Sequence, residues 1–228
     1  MTAAWLWTLI PVTVAFLGAV IAVNVRPGPT LVSAIQHFAA GVVFAAAAGE
    51  IMPDIAHSGS PVATIVGGFA GIAVMLTIRQ LERIFAGPAG MLTLVGVDIL
   101  IDGLVLGIAF AAGAKAGILL TIALSVEVLF LGLAVTTELS ETVKSRVRIV
   151  LIVVALLVLL PIGAFVASPI ASLPTQYITG FLSFGLIALL YLVTEELLAE
   201  AHETPDKPWV AAMFFVGFLL LLSLEEVM

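Results

Sequence analysis

The amino-acid sequence predicts an all-α membrane protein with eight transmembrane helices. Of its 228 residues, 62% are hydrophobic and 10% are charged, whereas a soluble domain is nearer half apolar and a quarter charged. The apolar runs are long and lack strand-like alternation, which favours helices over a barrel. Since the chain has no cysteine, disulfides and thiol-based sites are excluded. No loop is long enough for a soluble domain, so residues 1–228 are expected to form a single polytopic domain.

Eight stretches of the chain are long enough to be membrane helices, since a helix needs about 20 apolar residues to cross the hydrocarbon core. We call them spans 1 to 8, and they cover residues 4–24, 31–55, 61–80, 90–112, 117–139, 149–170, 176–197 and 208–224. Span 1 is too long, and too closely followed by span 2, for a cleaved signal peptide. Turn-forming residues separate the runs: Arg26-Pro27-Gly28-Pro29, Ser58-Gly59-Ser60-Pro61, Gly87-Pro88, Gly113-Ala114-Lys115 and Thr204-Pro205-Asp206.

The distribution of basic residues predicts that both termini lie outside. In that orientation the outer loops carry only Lys115, and the inner loops carry the seven other basic residues: Arg26, Arg79, Arg83, Lys144, Arg146, Arg148 and Lys207. Such a bias sets the orientation of membrane helices. The net charge is −7, and the few basic residues are spread over several loops, so nucleic acid is not an expected partner. The expected partner is the lipid bilayer of a bacterial-type inner (plasma) membrane.

The sequence also contains a short internal repeat. Span 2 ends with Glu50 seven residues before His57, and span 7 ends with Glu195 seven residues before His202, each His following an Ala. The two spans run in opposite directions, which indicates an inverted repeat of the kind found in secondary transporters. We therefore expect spans 1–3 to be related to spans 6–8 around a central pair, spans 4 and 5.

Spans 4 and 5 resemble each other. Asp98-Ile99-Leu100-Ile101-Asp102-Gly103 aligns with Glu127-Val128-Leu129-Phe130-Leu131-Gly132, and the two glycines are expected to let these spans pack closely. Asp98, Asp102 and Glu127 fall near the middle of the membrane, where an Asp costs about 2.5–3.5 kcal/mol. No Lys or Arg lies at similar depth, so the carboxylates need a cation or protons between them. Oxygen ligands suit Mg²⁺, Ca²⁺ and Mn²⁺, while Zn²⁺ prefers His and Cys.

Other polar residues lie towards the ends of spans 2, 7 and 8. Glu50, Asp54 and His57 share one stripe of span 2, which is either part of a cation path or a polar cap at the membrane surface. Glu195 and Glu196 lie near the inner end of span 7, on the expected exit path of the cation, and Glu195 is the deeper candidate. A single His in a membrane helix, here His37, is more often a hydrogen-bonding group between helices than a ligand. Glu225 and Glu226 are expected to be a solvated terminus.

These residues resemble the ZIP (Zrt/Irt-like) family of divalent-metal transporters, whose members have eight spans with both termini outside. The motifs that carry the resemblance are the two aligned segments of spans 4 and 5, Phe38-Ala39-Ala40-Gly41 with Glu50-Ile51-Met52-Pro53-Asp54 in span 2, and Glu195-Glu196-Leu197-Leu198-Ala199-Glu200-Ala201 in span 7. The resemblance implies metal ligands at Asp98, Asp102 and Glu127. Ile99, Val128 and Leu131 stand where the family has polar ligands, mostly of a second metal, so one oxygen-based site is expected.

The sequence thus predicts a divalent-cation transporter with metal-contacting residues Asp98, Asp102, Glu127, Glu50, Asp54 and Glu195. Transport is expected by alternating access of two repeat-related bundles. The transported metal, among Mn, Mg, Fe, Zn and Cd, and a homodimeric state both stay open. One alternative is a relative that does not transport metal and uses protonated carboxyls as a proton relay. An intramembrane enzyme is the least favoured alternative, because no catalytic motif is present.

Overall fold

A computed structural model of the chain describes residues 4–25, 28–84, 87–204 and 207–228. Arg26 and Pro27 of the first predicted boundary, and Pro205 and Asp206 of the last, lie outside the described residues. Within these residues the chain is almost wholly helical and contains no strand. The described residues include eight helices that are long and apolar enough to cross a membrane. The predictions of an all-α fold and of eight spans are therefore confirmed.

The helices begin and end within a few residues of the predicted bounds. Span 1 comprises Ala4–Trp7 and Leu9–Ala22, span 3 is Pro61–Ile84, span 4 is Pro88–Ala112, span 5 is Ala114–Thr142 and span 8 is Pro208–Val227. Span 6 comprises Arg146–Leu157, Leu159–Ala167 and a 3₁₀ turn at Ser168–Ser172. Spans 2 and 7 are each interrupted by a π-helical segment. Span 2 comprises Pro29–Ala46, π-helical Ala47–Ile51 and Met52–His57, and span 7 comprises Thr175–Tyr191, π-helical Leu192–Leu197 and Leu198–Ala201.

Proline and glycine account for the sharp boundaries. Spans 2, 3, 4 and 8 each begin at a proline, which fits the first helical position because that residue's N–H would have no acceptor within the helix. Gly59 and Gly87 precede two of these spans with φ of +64° and +106°, a region that favours glycine. Gly113 alone separates span 4 from span 5, so the two helices run antiparallel as neighbours.

The spans pack as two groups of four helices. Spans 1, 4, 5 and 6 form the first group, and spans 2, 3, 7 and 8 form the second. The pairings follow the expected repeat, in which spans 1, 2 and 3 correspond to spans 6, 7 and 8, and span 4 to span 5. Span 8 packs on span 2 in the same way as span 3 packs on span 7. Span 5 likewise packs on span 1 as span 4 packs on span 6. Each group therefore contains helices from both repeats.

Close glycine contacts explain these pairings. A Cβ on Gly103 would collide with the backbone carbonyl of Leu160 in span 6, and one on Gly132 would lie 2.8 Å from the carbonyl oxygen of Ala15 in span 1. The prediction that these two glycines pack span 4 on span 5 is therefore wrong, because each faces another helix of the first group. Small residues at such crossings allow the backbones of membrane helices to approach.

The two π-helical segments occupy the same position in the repeat. When Glu50 is aligned with Glu195, the segment beginning at Ala47 aligns with the one beginning at Leu192. The helix ends also correspond, since His57 Nδ1 lies 2.8 Å from the carbonyl oxygen four residues earlier and His202 Nδ1 makes the same contact at 2.5 Å. Isolated π-helical turns are rare and often lie at functional sites.

Candidate metal centre

Three carboxylates meet between spans 4 and 5. Asp98 and Asp102 lie one helical turn apart on span 4, and the single-residue turn at Gly113 places Glu127 of span 5 beside them. One oxygen from each of the three lies within 4.8 Å of the others. Asp102 and Glu127 are only 3% and 2% exposed, and Asp98 is half-buried. The sequence prediction that these three residues form one cluster agrees with this geometry.

The cluster leaves several oxygens without a partner. Asp102 Oδ2 and both carboxyl oxygens of Glu127 are buried, and no N–H or hydroxyl group of the described residues donates to them. The two carboxyls lie within hydrogen-bond reach of each other, so a proton held between them would also satisfy these oxygens. Within the described part of the chain neither residue forms a salt bridge. Burying a carboxylate without a partner is costly, and several in one place repel one another. The arrangement therefore requires a positive charge between the oxygens, either a cation or protons.

A fourth carboxyl approaches from the other group of helices. Glu196, in the π-helical segment of span 7, is close enough to interact electrostatically with both Asp102 and Glu127. Glu195, its neighbour, is exposed and accepts a hydrogen bond and ion pair from Arg79 of span 3. The sequence places both glutamates on the exit path and predicts Glu195 as the metal contact, whereas in the structure it is Glu196 that interacts with the cluster. A helical wheel of uniform period cannot distinguish the two, because the π turn changes which residue faces inward.

Glu50 and Asp54 do not join the central cluster. Glu50 lies near the turn between spans 4 and 5, where Lys115 Nζ is 3.0 Å from Glu50 Oε1 and 3.9 Å from Glu225 Oε1. Asp54 and His57 are exposed on the last turn of span 2. The expectation that Glu225 is simply solvated is wrong, because its side chain is 21% exposed and pairs with Lys115. We call this side of the molecule the Lys115 end.

His37 lies at the opposite side, which we call the His37 end. Its Nδ1 is 2.9 Å from the carbonyl oxygen of Ser33 in the same helix, so that nitrogen does not make the interhelical hydrogen bond that the sequence suggested. Its ring instead contacts that of His202 from span 7. The two histidines are far apart in sequence, and only the packing of span 2 against span 7 brings them together.

The chain was compared with known proteins. No family model matches it, and no curated protein is significantly similar to it in sequence.

Proposed function

We propose that this multi-pass membrane protein transports a divalent metal cation through the carboxylate cluster of Asp98, Asp102 and Glu127. One observation carries the proposal: three acidic side chains converge in the middle of two membrane helices, and among the described residues no N–H or hydroxyl group donates to the buried oxygens of Asp102 and Glu127. Ionisable groups inside a membrane are expensive, and they usually line a substrate or ion pathway. A divalent cation would balance the charge and occupy the unpartnered oxygens together.

The chemistry of the ligands favours an oxygen-preferring cation. All three are carboxylates, and hard cations such as Mg²⁺ and Mn²⁺ are bound by such ligands. The resemblance of spans 4 and 5 to the ZIP motifs supports the same assignment, with a single site in place of the binuclear centre, and a transporter rather than an enzyme. Zn²⁺ also accepts carboxylates and stands high in the general affinity order, so it competes for the site.

The architecture supports alternating access between the two helix groups. The cluster belongs to spans 4 and 5 of the first group, while Glu50, Glu195 and Glu196 belong to spans 2 and 7 of the second. Metal would reach the cluster past Glu50 at the Lys115 end and leave past Glu196 at the His37 end. If the Lys115 end faces outside, as the basic residues predict, this path carries metal inward across the inner membrane.

The decisive test replaces each central carboxylate with its amide. Asp98→Asn, Asp102→Asn and Glu127→Gln keep the shape of the side chain and remove one negative charge. We expect each purified variant to lose at least tenfold in affinity for Mn²⁺, measured by calorimetry, and to lose uptake in proteoliposomes. We expect thermal stability without metal to be unchanged or higher, because an uncompensated buried charge has been removed.

Glu138→Gln is the matched control for this test. Glu138 lies on the same helix as Glu127 but is exposed, so its amide variant should bind and transport metal like the parent. If the three central variants also bind like the parent, the carboxyls are protonated structural groups and the transport site is refuted. If metal does not bind the parent but proton flux depends on the three residues, the protein is a proton-conducting relative.

A further inference from the structure

Lys115 joins the two helix groups at the turn between spans 4 and 5. Its Nζ lies 3.0 Å from Glu50 Oε1 of span 2 and 3.9 Å from Glu225 Oε1 of span 8. Lys115 belongs to the first group, whereas both glutamates belong to the second. Because Gly113 alone separates spans 4 and 5, the position of Lys115 follows that of the two helices that hold the central cluster.

The two glutamates that contact Lys115 also contact each other. Their carboxyls lie within hydrogen-bond reach of each other, and their side chains are only 13% and 21% exposed. A Cβ on Gly49 would lie 2.3 Å from Glu225 Oε2, so the absence of a side chain at Gly49 leaves room for that carboxylate. Two carboxylates this close repel each other unless a positive charge lies beside them. The ammonium of Lys115 supplies that charge.

The Lys115 end of the molecule is closed. Between the ion pairs and the central cluster, spans 4 and 5 carry apolar residues that are at most 1% exposed: Leu106, Ile108, Ala109, Leu119, Leu120 and Leu124. They share one continuous core with Ala46 and Ala47 of span 2, so both helix groups contribute to it. Asp98, one turn nearer the His37 end than Asp102, is half-buried instead. A cation can therefore reach the cluster from the Lys115 end only if the groups separate there.

We propose that Lys115, Glu50 and Glu225 form an ion-pair latch that keeps the Lys115 end of the cation path closed. This inference rests on the proposed function, because the latch controls access to the proposed transport site. While the ammonium contacts both carboxylates, the two groups are held together on the outer side of the apolar core. When the ion pairs break, the groups can separate at this end and admit water and cation to the cluster.

A second ion pair of similar exposure lies within one helix group. Arg79 of span 3 pairs with Glu195 of span 7, and their side chains are 43% and 42% exposed, against 46% for Lys115. Glu195 corresponds to Glu50 in the internal repeat. Spans 3 and 7 both belong to the second group, so this pair does not join the groups. Its loss should leave the Lys115 end closed.

The experiment measures opening at the Lys115 end in the absence of metal. The chain has no cysteine, so Ala109→Cys places a single thiol in the fully buried core between the latch and the cluster. Its rate of reaction with a water-soluble maleimide is measured in lipid nanodiscs, where both faces of the membrane are accessible. Ala47→Cys, equally buried on span 2, is the second reporter if Ala109→Cys fails to fold. Ala19→Cys, buried where helices of the first group meet one another, reports general loosening.

Two sets of substitutions break the latch in each reporter. Lys115→Met removes the ammonium, and Glu50→Gln with Glu225→Gln removes both carboxylates, while Arg79→Met is the matched control. We expect either set to accelerate labelling of the latch-side thiol about three- to tenfold, as the loss of two screened ion pairs allows. Removing a nearby positive charge would by itself make a thiol less reactive, so acceleration by Lys115→Met reports opening. High salt screens exposed charges, so it should accelerate labelling in the parent and have no effect with Lys115→Met.

Three results would overturn the latch. The first is equal labelling with and without the latch substitutions, and the second is equal acceleration by Arg79→Met or at Ala19→Cys. The third is acceleration by Lys115→Met but not by the paired glutamine substitutions, which would show only repulsion between Glu50 and Glu225. Labelling needs no bound metal, so failure of the proposed transport function would appear instead in the amide variants of the central carboxylates.

Discussion

Glu195 and Glu196 are adjacent in sequence and lie in different surroundings. Glu195 is exposed and pairs with Arg79, while Glu196 is half-buried and interacts with the buried carboxyls of spans 4 and 5. Since Glu196 comes from the second helix group, it is the residue that changes its distance from the cluster if the groups move. It is therefore a better candidate for metal release than its neighbour.

Amide substitution separates the two residues. We expect Glu196→Gln to weaken Mn²⁺ binding several-fold, because it removes a negative charge near the bound cation, and to slow transport. Glu195→Gln should leave the affinity as it is, since Arg79 already neutralises that carboxylate. Calorimetry on both variants, at equal ionic strength, checks this. A larger loss with Glu195→Gln than with Glu196→Gln would contradict the structural placement.

The central cluster also predicts how metal binding depends on pH. Only deprotonated carboxylates coordinate a metal, so protons and metal compete for the same oxygens and binding releases protons. Affinity should therefore fall as the pH falls, by about tenfold per pH unit for each proton displaced. Titrations between about pH 5 and 8 measure the slope. Asp102→Asn should make the slope shallower, whereas a flat profile in the parent would refute proton competition.

Some properties of individual residues could be predicted from the sequence and others could not. The convergence of Asp98, Asp102 and Glu127 follows from one helical turn and one tight turn, both local features. The pairing of Glu225 with Lys115 depends on how the end of span 8 meets the turn after span 4. The contact of His37 with His202 likewise depends on packing between distant segments. Neither leaves a local signal in the sequence.

At the scale of the helices, glycine contacts determine which spans pair. Gly41 of span 2 faces the backbone carbonyl of Phe214 in span 8, and Gly217 faces that of Phe38 in return. This reciprocal contact resembles the glycine-mediated crossings of other membrane helices. Any side chain at either position must push the two backbones apart.

We expect Gly41→Ala to destabilise the protein by about 1–3 kcal/mol, the usual cost of overpacking. Gly68→Ala is the matched control, because a Cβ there meets only Ile187 Cγ1, at an ordinary 3.8 Å. Alanine is the better helix former, so Gly68→Ala should be neutral or slightly stabilising. Thermal unfolding in detergent measures both. Equal stability of the two variants would show that spans 2 and 8 can separate without cost.

The existence and limits of the eight spans could be predicted from the sequence, because apolar length and proline-glycine boundaries are strong local signals. The helix pairings could not. Gly103 and Gly132 suggested contact between spans 4 and 5. A glycine indicates only that another helix packs closely there, and it does not identify which helix that is. The π-helical segments at Ala47–Ile51 and Leu192–Leu197 were also not predictable, since their residues are ordinary helix formers.

For the whole molecule, orientation in the membrane is the property to establish first. With seven basic residues on the loops of one side against Lys115 alone on the other, we expect both termini outside. Short epitope tags at each terminus, probed in intact cells, should both be accessible, and a tag in the loop after span 5 should be protected. Protection of both terminal tags would reverse the orientation and the direction of the proposed transport.

In the described part of the chain, two ion pairs made by Lys115 bridge the two helix groups at the Lys115 end. Lys115 belongs to the first group, whereas Glu50 and Glu225 belong to the second. The side chain of Lys115 is 46% exposed, so solvent screens both ion pairs and each contributes less than about 1 kcal/mol. Ion pairs of that strength can hold the two groups in place and would break at little cost if the groups moved apart.

The paired π-helical segments have a consequence for the direction in which the ends of spans 2 and 7 face. Each residue of an α-helix turns the chain by about 100°, and a π turn takes up one additional residue. The residues beyond it are therefore rotated about the helix axis, relative to an unbroken helix. Deleting one residue from either segment would restore α-helical bonding and rotate everything that follows, including Asp54 or His202. In both repeats, the number of residues in one π-helical turn therefore sets the direction in which the polar residues at the end of the span face.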